Sequence, residues 1–198
     1  MIDSIEGFRV MGYFKIKDIT DPNNIKVLVD KTNAIHDGNM VYCIAKQMAG
    51  QDSANTHAFG WFAFGDGGSE VSRTGTITYR PTNTTKNRNE LADLYNRIYF
   101  KKVGAEGMNI ATSPVVHPTS ICDVNINVIL QQGEPIGQLP MDNATEFTDK
   151  FVFDEFGLYS NADRLEDSFM LTHVVFHPVQ KSLNRIYEID YTIRFEII

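Results

Sequence analysis

The residues best suited to chemistry are acids and histidines, and their spacing decides what they could do. Asp154 and Glu155 adjoin in the chain, and Glu188 and Asp190 lie two apart. Paired carboxylates serve glycoside hydrolysis when about 5–10 Å separates them. Glu188 and Asp190, however, belong to an alternating run in which polar residues share one strand face, the common fate of such acids. Of the five histidines, His173 and His177 are close in sequence. Their neighbours Thr172, Val174, Val175 and Phe176 favour a strand, where four residues span about 13 Å, too far for one metal ion.

Gly65-Asp66-Gly67-Gly68-Ser69 has the composition of a phosphate loop without its chemistry. No Lys-Ser or Lys-Thr follows, and Asp66 would repel an anion. One carboxylate is too few for calcium. The segment reads as a tight turn needing positive φ. No Gly-x-Ser-x-Gly elbow is present. Cys43 and Cys122 lie in apolar segments, as buried free thiols do. Asn83-Thr84-Thr85 and Asn143-Ala144-Thr145 match the glycosylation pattern, but no secretory signal accompanies them. The expectation is a protein that is not an enzyme, with no catalytic residue, metal or cofactor.

A formal charge of −7 disfavours nucleic acid and anionic membrane surfaces as partners, since both are recognised through Lys and Arg. No apolar run approaches the roughly 20 residues that cross a bilayer as a helix. The sequence therefore predicts a soluble protein made in a cytoplasm. A length of 198 residues, 42% of them hydrophobic and with thirteen Phe and eight Tyr, suits one β-rich domain spanning 1–198.

Most of the chain alternates with period two. Phe8, Val10, Gly12, Phe14 and Ile16 form one strand face, and after the turn Asp21-Pro22-Asn23-Asn24 the residues Ile25, Val27 and Val29 form another. Further strands are predicted at 76–80, 97–103, 121–131, 151–159 and 169–177. Phe59-Gly60-Trp61-Phe62-Ala63-Phe64 is aromatic on both faces, which requires cover on both sides. The period changes to four between residues 38 and 49, where Met40, Ile44 and Met48 stand beside Val41, Ala45 and Ala49. This predicts one short amphipathic helix, capped by Asp37 and ended by Gly50. The fold class is mostly β (α+β), an antiparallel β-sandwich with long loops at 104–120 and 132–150.

The closing segment has the clearest alternation, with Tyr187, Ile189, Tyr191, Ile193, Phe195 and Ile197 on one face. From Arg185 to Ile197 it would extend about 40 Å, about twice a usual strand. Such length predicts a strand that bends between two sheets or reaches a neighbouring subunit.

The order of three pieces resembles a structural module of tailed-bacteriophage virions, seen in tail-fibre attachment, baseplate and collar proteins. The pieces are Asn33-Ala34-Ile35 through Gly38 and the helix to Gly50; Trp61-Phe62-Ala63-Phe64-Gly65-Asp66-Gly67; and Glu155-Phe156-Gly157-Leu158-Tyr159 followed by Met170-Leu171. Together they span about half the chain. The resemblance implies a virion subunit assembled in the host cytoplasm, with copies of itself and other virion proteins as partners. Fibre proteins with this module continue into a long shaft, and the end at Ile198 favours instead an oligomeric adaptor of the tail, baseplate or neck. Phe59, Trp61, Phe62, Phe64, Tyr187, Tyr191 and Phe195 are the interface candidates. Two alternatives accompany this reading. One is a capsid decoration protein; the other is a β-sandwich that binds host-surface glycans, stacking sugars on Trp61, Tyr79, Tyr99 and Tyr159.

Overall fold

The structure is a computed structural model and describes residues 7–84, 92–105, 107–113, 120–137 and 151–198. Alternating segments form the strands β1 (Phe8–Asp18), β2 (Lys26–Ile35), β3 (Phe59–Gly65), β4 (Ser69–Val71), β5 (Ile77–Tyr79) and β6 (Arg97–Lys102). The later strands are β7 (Met108–Thr112), β8 (Ile121–Leu130), β9 (Val152–Ser160), β10 (Met170–Gln180) and β11 (Tyr187–Ile197). The helix α1 (Asp37–Met48) stands where the period of four lies. The chain is thus mostly β with one helix, as expected.

Nine strands make one antiparallel sheet in the order β6-β3-β9-β10-β2-β1-β11-β8-β7, and β4 and β5 pair as a separate hairpin. Strand β2 turns the corner. Its residues Lys26–Asn33 pair with β1, whereas Ala34 and Ile35 pair with His173 and Thr172 of β10. The sheet therefore folds over itself, and two layers face each other across one aromatic core. Phe14 of β1 lies 4.6 Å from Phe156 of β9, and Phe156 lies 5.4 Å from Tyr191 of β11, ring centre to ring centre. Each large side chain buried here contributes about 1.5–3 kcal/mol. On the far side, Lys101 of β6 closes the layers by donating to the carbonyl of Ile129 in β8.

The alternation in β8 and β11 reads out directly: Ile126, Val128 and Leu130 are buried, as are Tyr187, Ile189, Tyr191 and Ile193. The inference from the length of β11 needs correction. All eleven residues pair with β1 on one side, and Tyr187–Glu196 pair with β8 on the other. Both edges are filled within the chain, so β11 is a central strand and has no edge to offer a neighbouring subunit.

Three local expectations also change. In β2 the pairing steps from Ile16↔Val29 to Lys17↔Val27, a bulge that inverts the phase of the strand and leaves Ile25 and Val27 exposed. The helix is capped by the imidazole of His36, which accepts from the Asn39 N–H at 3.2 Å, while Asp37 occupies the first turn. Its apolar stripe is narrower than its sequence, with Met40 2% exposed but Met48 85% exposed. The reason is that α1 touches the sheet near its start, where Asn39 Nδ2 donates to the Met170 carbonyl and Met40 and Cys43 pack on Leu171. Gly50 ends the helix with φ +64°, as predicted. Within the expected loop 104–120, Met108–Thr112 forms β7, paired along β8. Of the expected loop 132–150, residues 138–150 lie outside the described residues.

Candidate functional site

Asp154 and Glu155, the glycine loop and His173, separate in the sequence, converge in space. Antiparallel pairing sets Gly65 of β3 opposite Glu155 of β9, with β10 on the other side of β9. Glu155 Oε1 accepts from the N–H groups of Asn96 at 2.8 Å and Gly67 at 3.2 Å. Oε2 accepts from the Tyr95 N–H at 3.0 Å and from His173 Nε2 at 3.1 Å. The Asn83 N–H donates to His173 Nδ1 at 2.8 Å, which fixes the tautomer: Nε2 carries the proton toward Glu155. Asp154 accepts from Gly68 N–H, Ser69 N–H and Ser69 Oγ at 2.8, 2.7 and 2.5 Å.

The glycines serve this cluster by leaving space. A Cβ on Gly65 would stand 2.4 Å from Glu155 Oε1, and one on Gly68 would stand 2.8 Å from the Asp154 carbonyl. The expected positive φ is absent from Gly65, Gly67 and Gly68. Gly65 and Gly68 therefore reflect close approach to the two buried acids, and Gly67 close approach to Tyr95 and Asn96.

The acids are pushed apart in acidity. Burial raises the Glu155 carboxyl, but the His173 N–H and the backbone N–H groups of Asn96 and Tyr95 outweigh it and hold the group below its ordinary value. For Asp154 burial dominates over the donors from Ser69 and Gly68, the Glu155 charge adds to it, and the carboxyl rises. Divergent carboxylates often mark an acid and base pair. Here Glu155 and His173 are fully buried and Asp154 nearly so. Every carboxylate oxygen is already occupied by a donor from the protein. The arrangement pins residues 67–69 and 95–96 onto β9, and it presents no oxygen to a substrate. Among the described residues, no three His, Cys, Asp or Glu side chains gather as metal ligands. His177 lies apart from His173 and meets the Tyr79 hydroxyl at 3.1 Å.

The interface candidates divide into two groups. Phe62, Phe64, Tyr187 and Tyr191 are buried in the core of their own chain, so they are not available to a partner. This corrects their assignment as surface anchors. Phe59, Trp61 and Phe195 stay partly exposed. Trp61 donates its indole N–H to the Ala162 carbonyl at 2.9 Å, with Lys102 5.0 Å above the ring and Phe100 edge-on. Tyr159, proposed as a sugar platform, is buried with its hydroxyl on Asp93.

Phe59 and Phe195, far apart in sequence, meet at an apolar cleft of about 450 Å³. Helix α1 supplies Met40, Cys43, Ile44 and Gln47, which share a face at intervals of three and four. Ile110 and Thr112 of β7, Val124 of β8 and Val103 after β6 complete the lining, with His57 and Ala58 before β3. The sequence hid this site because Ile110 lay in an apparent loop and the helix face read as core. A polar turn holds His57. Asp52 accepts from the N–H and hydroxyl of Thr56 at 2.7 and 2.9 Å and from the His57 N–H at 2.9 Å, and it meets His57 Nδ1 at 3.0 Å. Burial opposes the Asp52 charge, but the bonds from His57 and Thr56 outweigh it and bring the carboxyl to about 2.

No protein-family model, curated protein or solved structure matches the chain.

Proposed function

We propose that this chain is a non-enzymatic structural subunit of a tailed-bacteriophage virion, an oligomeric adaptor of the tail, baseplate or neck. One observation carries the reading. The three sequence pieces that resemble virion modules, though dispersed between residues 33 and 171, adjoin in the fold. Strand β3 pairs with β9, placing Trp61 opposite Tyr159 and Phe64 opposite Phe156. Strand β9 pairs with β10, which in turn takes Ala34 and Ile35 as neighbours and holds α1 through Met170 and Leu171. A shared pattern that forms one contiguous unit is better support than the same residues scattered over a surface.

The acid cluster supports the non-enzymatic part of the reading, because its carboxylates are consumed in holding backbone. Aromatic surface supports the assembly part. Phe8 and Phe195 stack at 5.9 Å, and Phe8 and Phe100 are each about half exposed. Aromatic anchors of this kind dominate protein interfaces.

The test is immunogold labelling of purified tailed particles with antibody to this chain. Gold confined to the neck, tail or tail tip is the expected outcome and would locate the subunit. Absence of the chain from particles, by labelling and by protein gel, would sink the proposal.

A further inference from the structure

The apolar cleft has two properties that an accidental gap in packing lacks. Its volume of about 450 Å³ falls within the roughly 300–1,000 Å³ of small-molecule pockets, and its walls come from the helix and both layers of the sheet. It also carries one polar group prepared for a partner. The His57 ring is held by Asp52 and Thr56 at Nδ1, edge-on by Tyr42 at 5.3 Å and face-on by Phe169 at 6.1 Å. Because the Thr56 hydroxyl is spent on Asp52, a proton on Nδ1 points at these oxygens, and in this Nδ1–H tautomer the acceptor lone pair lies on Nε2. Among the described residues Nε2 has no hydrogen-bond partner, and it is not among the polar atoms sealed from solvent.

We propose that this cleft binds a small, uncharged aromatic molecule bearing one hydrogen-bond donor, of the indole or phenol class, with the donor on His57 Nε2. The walls select the body of the ligand. Phe59 and Phe195 offer ring faces and edges, and Met40 and Cys43 offer sulfur, which packs well on aromatic edges. The Asp52 charge behind the imidazole disfavours an anion. Among the lining side chains only Gln47, His57 and Thr112 carry nitrogen or oxygen, so the cleft favours a mostly apolar body with few polar groups. The inference is independent of the virion reading and stands or falls on binding alone.

The experiment titrates the full chain with indole and with 1-methylindole, which keeps the shape and lacks the donor, following protein NMR shifts. Saturable binding of indole, about tenfold tighter than 1-methylindole, is expected from one hydrogen bond. His57→Phe should bring the two ligands to equal affinity. Ile44→Glu should abolish binding of both, and Ile110→Glu, on an exposed position, is the second blocking variant should the first fail to fold. The proposal is overturned by no saturable binding at millimolar indole, by equal affinities in the unaltered chain, or by binding that survives Ile110→Glu.

Discussion

At the scale of single residues, a buried acid pair and a buried lysine each make stability depend on pH. Glu155 has a folded acidity shifted below its ordinary value of 4.5. Its contribution is complete above that value and is lost as pH falls through the depressed folded value. Asp154 is raised above its ordinary 3.8 and works oppositely, with stability falling as pH rises from there through its folded value. Glu155→Gln should therefore remove Glu155's share of the acid-side loss, leaving that of Asp52 and the other depressed carboxylates, while costing about 2–4 kcal/mol near neutrality, because a neutral amide leaves backbone donors unpaired. Urea melts between pH 3 and 7 measure both; a variant as stable as the parent at pH 7 would contradict the pinning role. Lys181 is the second case. Its side chain is in a residue only 1% exposed, its ammonium donates to the carbonyls of Gln131 and Ser182 at 3.0 and 3.1 Å, and burial lowers it to about 8. A depressed lysine costs stability while charged, and the cost fades as pH rises above the folded value toward 10.5. Between pH 8 and about 9.5, before unfolded tyrosines ionise, stability should rise by up to about 2 kcal/mol. Lys181→Met should lose that rise, and an unchanged slope would show that another group is responsible.

At the scale of elements, the alternating strands were legible because a period of two has one physical meaning, one face in and one face out. Ile126, Val128 and Leu130 behave as their spacing says. The helix was legible in place but not in depth. Six apolar positions suggested a broad buried stripe, yet only the part over Leu171 is covered, since contact with β10 is decided by a tertiary position that spacing does not contain. A paired measurement separates the two halves of the stripe. Met40→Ala should cost about 2–5 kcal/mol, whereas Met48→Gln should stay within about 0.5 kcal/mol of the parent. Equal losses in chemical denaturation would mean that the far end of α1 is covered after all. The bulge at Leu28 and the strand β7 were illegible for different reasons: a register step inverts a pattern without changing composition, and Met108–Thr112 offers only Met108 and Ile110 as large apolar residues within a stretch rich in Gly, Pro and small polar residues.

For the molecule as a whole, the sequence could not reveal that one sheet folds over itself, because strand order depends on pairings between residues far apart in the chain. Asp154, Glu155 and His173 were recognisable as residue types, but their meeting with the glycine loop needed β3, β9 and β10 to be neighbours. The same topology makes a prediction about cooperativity. Strand β2 belongs to both layers, and Phe14, Phe156 and Tyr191 interlock across them. Neither layer can separate without exposing the rings of the other, so unfolding should be a single transition despite a length of 198 residues. Trp61 on β3 reports one layer by fluorescence, and far-ultraviolet circular dichroism reports all strands. The two guanidinium melts should coincide. Phe14→Ala, which cuts the link from β1 to β9 and β10, should shift both midpoints together by a loss of about 3–5 kcal/mol. If the Trp61 signal instead melts apart from the dichroism, the layers are separate cooperative units and the corner strand does not couple them.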